Sequence, residues 1–192
     1  MLDHDAFIEL LAQRLRLSVP TSEDAIRYTF FAALLKSGLE PERFVPEFQH
    51  PEIAGAKVDA AILSENGEPY AALEFKYDKR NPSGTPQPLP MKAGAAFADL
   101  RRLARLPNSL ERLFIHVMDD ELSTYLKSSR NGLHTVYGLD VGARLNIVPE
   151  FFQSRSTTFH GRLGEWPESV GVRLISVRSL PERHVVFIFD VD

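Results

Sequence analysis

A short apolar segment of the chain contains a glutamate and a lysine two residues apart. Residues 71–77 read Ala-Ala-Leu-Glu-Phe-Lys-Tyr, a composition that predicts a strand. Because side chains alternate along a strand, Glu74 and Lys76 share one face with Ala72. The opposite face carries the side chains of Leu73, Phe75 and Tyr77. The spacing therefore places an acid and a base side by side in an apolar strand.

A second carboxylate lies in the preceding apolar run. Asp59 is the charged residue in Val-Asp-Ala-Ala-Ile-Leu, residues 58–63, and burying it is costly unless it is paired or binds a cation. Asn66 and Gly67, between the two runs, predict a hairpin turn. Asp59 and Glu74 are about equally far from that turn. Both carboxylates are therefore expected at the opposite end of the hairpin.

Two converging carboxylates suit a hard cation with oxygen ligands, and Mg²⁺ fits this chemistry best. Such an ion lowers the pKa of a bound water and stabilises the transition state of phosphodiester hydrolysis. Lys76 would orient the water, help to deprotonate it, or offset developing negative charge. The chain has no cysteine, which excludes thiolate zinc sites, iron–sulfur clusters, disulfides and thiol catalysis. Its six histidines show no zinc-binding spacing.

The elements that must position these residues follow from hydrophobic periodicity. The chain has 192 residues, of which 44% are hydrophobic and 25% charged, an ordinary balance for one globular domain. A helix over 5–17 is followed by a second helix that Thr21 caps and that ends near Gly38. The next predicted elements are strands over 44–48, 57–63 and 69–77, a helix over 91–106 and a buried strand over 113–117. A proline-rich break over 81–90 is either a flap beside the site or a plain connection.

The rest of the chain is predicted to be mostly strands. Asp119 and Asp120 cap a short helix that ends near Gly132. The strands that follow are predicted over 134–137, 144–148, 170–177 and 184–191. The predicted fold class is therefore α/β, with a central mixed sheet flanked by helices. We expect one domain over 1–192, with a core over 21–117 and a β-rich C-terminal extension over 133–192.

Asp59 followed by Glu74-Phe75-Lys76 resembles the D…ExK signature of the PD-(D/E)XK nuclease superfamily. The order helix, three strands, helix and strand over 21–117 is similar to the core of its restriction-endonuclease-like fold. The resemblance implies metal-dependent hydrolysis of phosphodiester bonds in nucleic acid, with DNA favoured over RNA. It implies that Asp59 and Glu74 bind Mg²⁺ or Mn²⁺ and that Lys76 is the catalytic lysine.

Many members of this superfamily add an acidic residue from the helix before the first strand. Glu23 is the matching position here, and Glu47 on the first strand is a second candidate. Val58 stands where the family often has proline before the aspartate. The polar residue often found at the start of the following helix corresponds to Lys92 or Gln87.

The charge of the chain is unevenly distributed. The net charge is −4, but residues 76–130 carry ten Lys and Arg against six Asp and Glu, whereas residues 1–75 carry six against 13. A basic middle segment after an acidic motif suits a phosphate backbone, although a solvated surface is the ordinary alternative. The residues predicted to contact nucleic acid are Lys79, Arg80, Lys92, Arg101, Arg102 and Arg105.

Each candidate residue also has an ordinary structural explanation. In that explanation Glu74 and Lys76 would form a cross-strand or edge salt bridge on a solvated face, and Asp59 would be a partner in a buried turn or cap. Glu23 would be present because the helix dipole favours an acid at that position. The functional alternatives are a catalytically inactive nuclease-like fold that binds protein or nucleic acid, and a non-nuclease hydrolase that uses the same carboxylates.

The N-terminus is acidic and lacks the features of a secretory signal, and no apolar run reaches the roughly 18 residues of a membrane span. We therefore expect a cytoplasmic protein without membrane contact. The resemblance implies a homodimer or a place in a larger complex.

Overall fold

The computed structural model describes residues 4–17, 19–79, 87–166 and 168–192. Within these residues, seven strands form one mixed sheet in the order β1-β2-β3-β4-β7-β6-β5. The strands are β1 Phe44–Gln49, β2 Lys57–Leu63, β3 Pro69–Asp78, β4 Glu111–Asp119, β5 Arg144–Ile147, β6 Val170–Leu180 and β7 His184–Val191.

The helices cover both faces of this sheet. They are α1 His4–Arg16, α2 Glu23–Lys36, α3 Leu89–Ala104, α4 Asp120–Lys127, α5 His134–Tyr137 and α6 Thr157–Leu163. Short 3₁₀ turns lie at Pro41–Arg43, Ser129–Asn131 and Pro149–Phe152. One core layer packs α1 and α2 on the sheet, with Phe7 and Phe30 among its buried residues. The other packs α3 to α6, with Phe97 and Phe159.

The β3–α3–β4 unit follows the predicted order of strand, helix and strand. Residues 71–78 of β3 pair in parallel with residues 111–118 of β4, and α3 forms the crossover between them. The other neighbouring strands pair antiparallel. The α/β class, the mixed sheet and the order helix, three strands, helix and strand are thus confirmed. No helix in the described ranges is long and apolar enough to cross a bilayer.

The C-terminal strands belong to the same sheet as the core. Residues 113–119 of β4 pair with residues 184–190 of β7, so the last strand lies beside the buried central strand. β6 and β5 then extend the sheet outward. β7 therefore pairs with the edge of β4 that faces away from β3, which makes β4 a central strand.

Two local predictions are wrong. The segment predicted as a strand over 134–137 is the short helix α5, because Gly132 adopts a left-handed φ of 67° and Asn131 Oδ1 accepts a hydrogen bond from the Leu133 N–H. This turn directs the chain inward and buries Tyr137. The cap of α2 is Ser22, whose hydroxyl accepts a hydrogen bond from the Ala25 N–H at 3.2 Å.

Candidate active site

The β2–β3 ladder ends where the two candidate carboxylates lie. Its last paired residues at this end are Ala60 and Leu73. Beyond them, Asp59 Oδ2 accepts a hydrogen bond from the Phe75 N–H at 2.7 Å, so a side chain takes the place of a backbone partner. Asp59 and Glu74 therefore flank the point where the strands part. The turn with Gly67, at a φ of 82°, lies at the other end of the hairpin, as predicted.

Glu74 projects from β3 toward α3 and is almost completely buried. Its side chain is 3% exposed and accepts a hydrogen bond from Arg102 Nη2 through Oε1. The second oxygen, Oε2, is buried without a hydrogen-bond partner among the described residues. Burial, together with the nearby charge of Asp59, raises the pKa of Glu74 to about 9. An unpartnered buried carboxylate oxygen is costly, and it is the atom best placed to accept a cation or a proton.

Asp59 is held between a helix and the backbone of β3. Its Oδ1 atom lies 2.7 Å from Arg27 Nη2 on α2. Burial raises the pKa of Asp59 to about 6, although the Phe75 N–H and the Arg27 guanidinium both oppose this rise. The carboxyl group is therefore mainly ionised at neutral pH and pairs with Arg27.

Lys76 lies on the same face of β3 as Glu74, as the alternation predicts. Its Nζ atom is 3.5 Å from Asp99 Oδ2 and 3.9 Å from Glu23 Oε2. Burial lowers the pKa of Lys76, but the carboxylates of Asp99, Glu23 and Asp78 outweigh it and the pKa is raised. Lys76 is therefore an ammonium ion. This protonation state favours orientation and charge neutralisation over proton abstraction.

Glu23 connects α2 to the end of β3. It lies in the first turn of α2, and its Oε2 accepts a hydrogen bond from the Tyr77 N–H at 3.0 Å. Its Oε1 lies 3.3 Å from Arg27. The predicted additional acid is therefore beside Lys76 and Asp59.

Glu47, the second candidate for that acid, lies at the rim. The register of β1 on β2 places it between Pro46 and Phe48, opposite Asp59. It has a left-handed φ of 54°, which is rare and strained for a non-glycine residue. Its side chain is 57% exposed and contacts Lys57 at 3.1 Å. It also lies 3.8 Å from Arg27.

Two residues of the site were not among the predicted ones. Arg27 contacts Asp59, and Asp99 contacts both Lys76 and Arg102, the latter at 2.9 Å. The available signal was helical spacing, because Arg27 lies four residues after Glu23 and Asp99 three residues before Arg102. We call the set the carboxylate cluster. Its members are Glu23, Arg27, Asp59, Glu74, Lys76, Asp99 and Arg102.

The residues predicted to contact nucleic acid are dispersed. Arg102 belongs to the carboxylate cluster and does not point outward, and Lys92 is buried, with its Nζ donating to the Lys79 carbonyl at 3.0 Å. Lys79 is exposed at the end of β3, and Gln87 is exposed before α3. On α3 and just after it, Arg101 is half-buried and Arg105 pairs with Glu168 at 3.0 Å. Arg80 and residues 81–86 of the proline-rich break lie outside the described residues.

The carboxylate cluster can be compared with the ligand sets that cations require. In the described part of the chain, no group of three or more His, Asp and Glu is arranged to hold a metal ion. Mg²⁺ is commonly bound through one or two carboxylates, with water and substrate phosphates as the other ligands. Asp59 and Glu74 would hold it in that way, with Glu74 Oε2 as the oxygen that has no other partner in the ranges described.

The fold and the site define an α/β protein with acidic and basic side chains buried where two central strands part. Comparison of the chain with family models, with curated proteins and with solved structures gives no match.

Proposed function

We propose that the protein is a metal-dependent nuclease with a restriction-endonuclease-like core, similar to the PD-(D/E)XK enzymes. The observation that carries the proposal is the buried Glu74 Oε2 beside Asp59, with Lys76 on the same strand face. Hydrolysis of a phosphodiester needs a held cation and a positive group near the reacting phosphate. The cofactor is Mg²⁺ or Mn²⁺, and the substrate is DNA rather than RNA.

In this proposal each side chain of the cluster has a separate role. Asp59 and Glu74 hold the cation, which supplies an activated water and stabilises negative charge. Lys76, kept charged by Asp99 and Glu23, offsets the charge that develops on the phosphate. The nucleic-acid backbone is contacted by the predicted basic residues outside the carboxylate cluster that are exposed or half-buried in the described part of the chain, which are Lys79, Arg101 and Arg105. Arg80, also predicted to contact it, lies outside the described residues.

The test is cleavage of plasmid, single-stranded DNA and RNA with and without Mg²⁺ or Mn²⁺. Wild-type protein is expected to cleave DNA only with metal, and Asp59→Asn and Lys76→Ala to lose at least about a hundredfold in rate. Glu65→Gln, in the exposed β2–β3 turn at the far end of the hairpin, is the matched charge control and should cleave like wild type. The proposal fails if no substrate is cleaved faster by wild type than by Lys76→Ala.

A second candidate function is a nuclease-like binding module without turnover. It is favoured by the two arginines, because Arg27 pairs with Asp59 and Arg102 with Glu74 and both carboxylates are thereby neutralised without a metal. Titration calorimetry with Mg²⁺ separates the candidates. If the protein is the proposed nuclease, wild type should give a heat of Mg²⁺ binding that Glu74→Gln abolishes. If it is a binding module without a metal site, wild type should give no heat that depends on Glu74.

One such site would cleave one strand, so cleavage of both strands of DNA is simplest if two copies of the protein act together. We therefore propose a homodimer on DNA or a larger complex. Sedimentation of the protein with an uncleaved duplex in Ca²⁺ should show two chains per duplex. One chain per duplex, with nicked plasmid as the only product, would oppose the dimer.

A further inference from the structure

A second cluster of polar residues is buried on the face of the sheet that carries Lys76. His116 on β4 is fully buried, and its Nε2 atom is 3.1 Å from Asp78 Oδ2. Its Nδ1 atom is 2.9 Å from the hydroxyl of Tyr137, which α5 buries. We call Tyr137, His116 and Asp78 the histidine chain.

The hydrogen bonds of the histidine chain have one direction. Burial, with the nearby charges of Asp78 and Asp99, raises the pKa of Tyr137 far above its ordinary value, so the phenol keeps its proton and can donate to His116 Nδ1. We assign the tautomer in which Nδ1 accepts this hydrogen bond and the Nε2–H group donates one to Asp78 Oδ2. The histidine chain thus ends in an Asp78 carboxyl group that His116 holds in place.

Strand geometry places Asp78 and His116 on the same face of the sheet as Lys76. Lys76 and His116 are direct partners in the parallel β3–β4 register, so their side chains lie on the same face of the sheet. Asp78 follows Lys76 by two residues and shares that face. Lys76 of the carboxylate cluster and His116 of the histidine chain are therefore neighbours across β3 and β4.

Burying an aspartate costs free energy unless a nearby positive charge compensates for it. Three apolar side chains of similar size would fill the space of the histidine chain without that cost. We propose that the histidine chain is a positioning device for Lys76. It fixes the Asp78 carboxyl group two residues beyond Lys76 on the same strand face, where its charge acts on the ammonium through space, while Asp99 and Glu23 lie 3.5 and 3.9 Å from Lys76 Nζ. Lys76 is thereby fixed in one orientation toward the carboxylate cluster.

The position of the ammonium is testable without any enzymatic activity. An ion-paired, half-buried ammonium exchanges its protons slowly, so it gives a signal in a ¹H–¹⁵N correlation spectrum, assigned by its loss in Lys76→Met. Asp78→Asn keeps the hydrogen bond from His116 but removes the charge, and should broaden or abolish the signal. His116→Leu should do the same, and His116→Gln, which retains a donor near Nε2, should restore it.

A control variant separates positioning from loss of core packing. Phe159→Leu, on α6 in the same core layer, should keep the Lys76 signal. The proposal is overturned if wild type shows no Lys76 signal, if Asp78→Asn keeps it, or if Phe159→Leu loses it equally. Should His116→Leu fail to fold, the Asp78→Asn spectrum alone decides.

The consequence for catalysis rests on the proposed nuclease function. In that case Asp78→Asn should lower kcat by roughly tenfold or more, since a misplaced catalytic group costs up to about a hundredfold, while Kd for DNA in Ca²⁺ stays within about twofold. Equal kcat for wild type and Asp78→Asn would overturn this consequence. A wild type that cleaves nothing would refute the nuclease instead, and the ammonium spectrum would still decide whether Lys76 is positioned.

Discussion

Two polar clusters meet along β3, because Lys76 belongs to the carboxylate cluster and Asp78 of the histidine chain follows it by two residues on the same strand face. In the histidine chain, both ring nitrogens of His116 have partners within 3.1 Å and the hydrogen bonds run in one direction. In the carboxylate cluster, Glu74 Oε2 is buried and has no partner in the described part of the chain. Satisfied buried groups stabilise a fold, whereas an unsatisfied one costs free energy and marks a place where a ligand would repay that cost. The difference is consistent with a supporting role for the first cluster and with the cation binding that we propose for the second.

The largest expected effect concerns activity in the carboxylate cluster. Glu74→Gln keeps the size of the side chain but cannot lose a proton to form the carboxylate that would hold a cation, so metal-dependent DNA cleavage should fall by about a thousandfold. Single-turnover cleavage rates at saturating Mg²⁺ measure this, with Glu65→Gln as the control. A rate within tenfold of wild type would show that Glu74 does not hold the metal.

The next effect concerns stability in the histidine chain. His116→Leu leaves Asp78 buried without its donor, and breaking a buried pair in this way should lower the free energy of unfolding by about 3 kcal/mol. Urea denaturation at pH 7 measures the change, with Phe114→Leu on the same face of β4 as a control for packing. If the two variants lose the same amount, the pair with Asp78 contributes nothing of its own.

Unlike His116→Leu, a neutral substitution of Glu74 is expected to stabilise the folded protein. The pKa of Glu74 is about 9 in the folded protein and 4.5 for an ordinary glutamate, so between these values the folded state holds a proton that the unfolded state has lost, and stability falls as the pH rises from about 4.5 to 9. Glu74→Gln removes this loss and should raise the free energy of unfolding on the order of 2 kcal/mol at pH 8, with little change at pH 4. Urea midpoints at both pH values check it. A less stable Gln variant at pH 8 would contradict the buried, protonated carboxyl.

The smallest effect is expected at the inner end of the histidine chain. Tyr137→Phe removes one hydroxyl that donates to His116, and should lower the free energy of unfolding by about 1 kcal/mol. Thermal unfolding measures it, with Tyr70→Phe in β3 as a control of the same chemistry. A change equal to the control would mean that the hydroxyl is not needed to orient the ring.

The sequence was sufficient to predict the features that depend on local spacing. Alternation along β3 predicted the shared face of Glu74 and Lys76, and the Asn66–Gly67 turn predicted which end of the hairpin carries the carboxylates. Both follow from backbone geometry within one hairpin, so they need no knowledge of the other elements.

The partners of those residues come from distant elements, and local spacing does not contain them. Arg27 and Asp99 lie on α2 and α3, and they meet Asp59 and Lys76 only after both helices pack on opposite faces of the sheet. Arg102 was predicted to contact nucleic acid, because charged residues on a helix usually face the solvent, but it pairs with Glu74 and Asp99 instead. The β-branched Thr135 and Val136 favoured a strand, but the turn at Gly132 and the burial of Tyr137 outweighed that local preference.

The two edge strands of the sheet, unlike its central strands, have backbone groups that could pair with another chain. At one edge, β1 contains Pro46, which has no N–H to donate, followed by Glu47 in a left-handed conformation. At the other edge, β5 spans only Arg144–Ile147. Natural sheets use such interruptions and short strands to prevent edge-to-edge pairing. Growth of the sheet from one molecule into the next is therefore opposed at both edges, and an assembly of two copies would have to form through helices and loops.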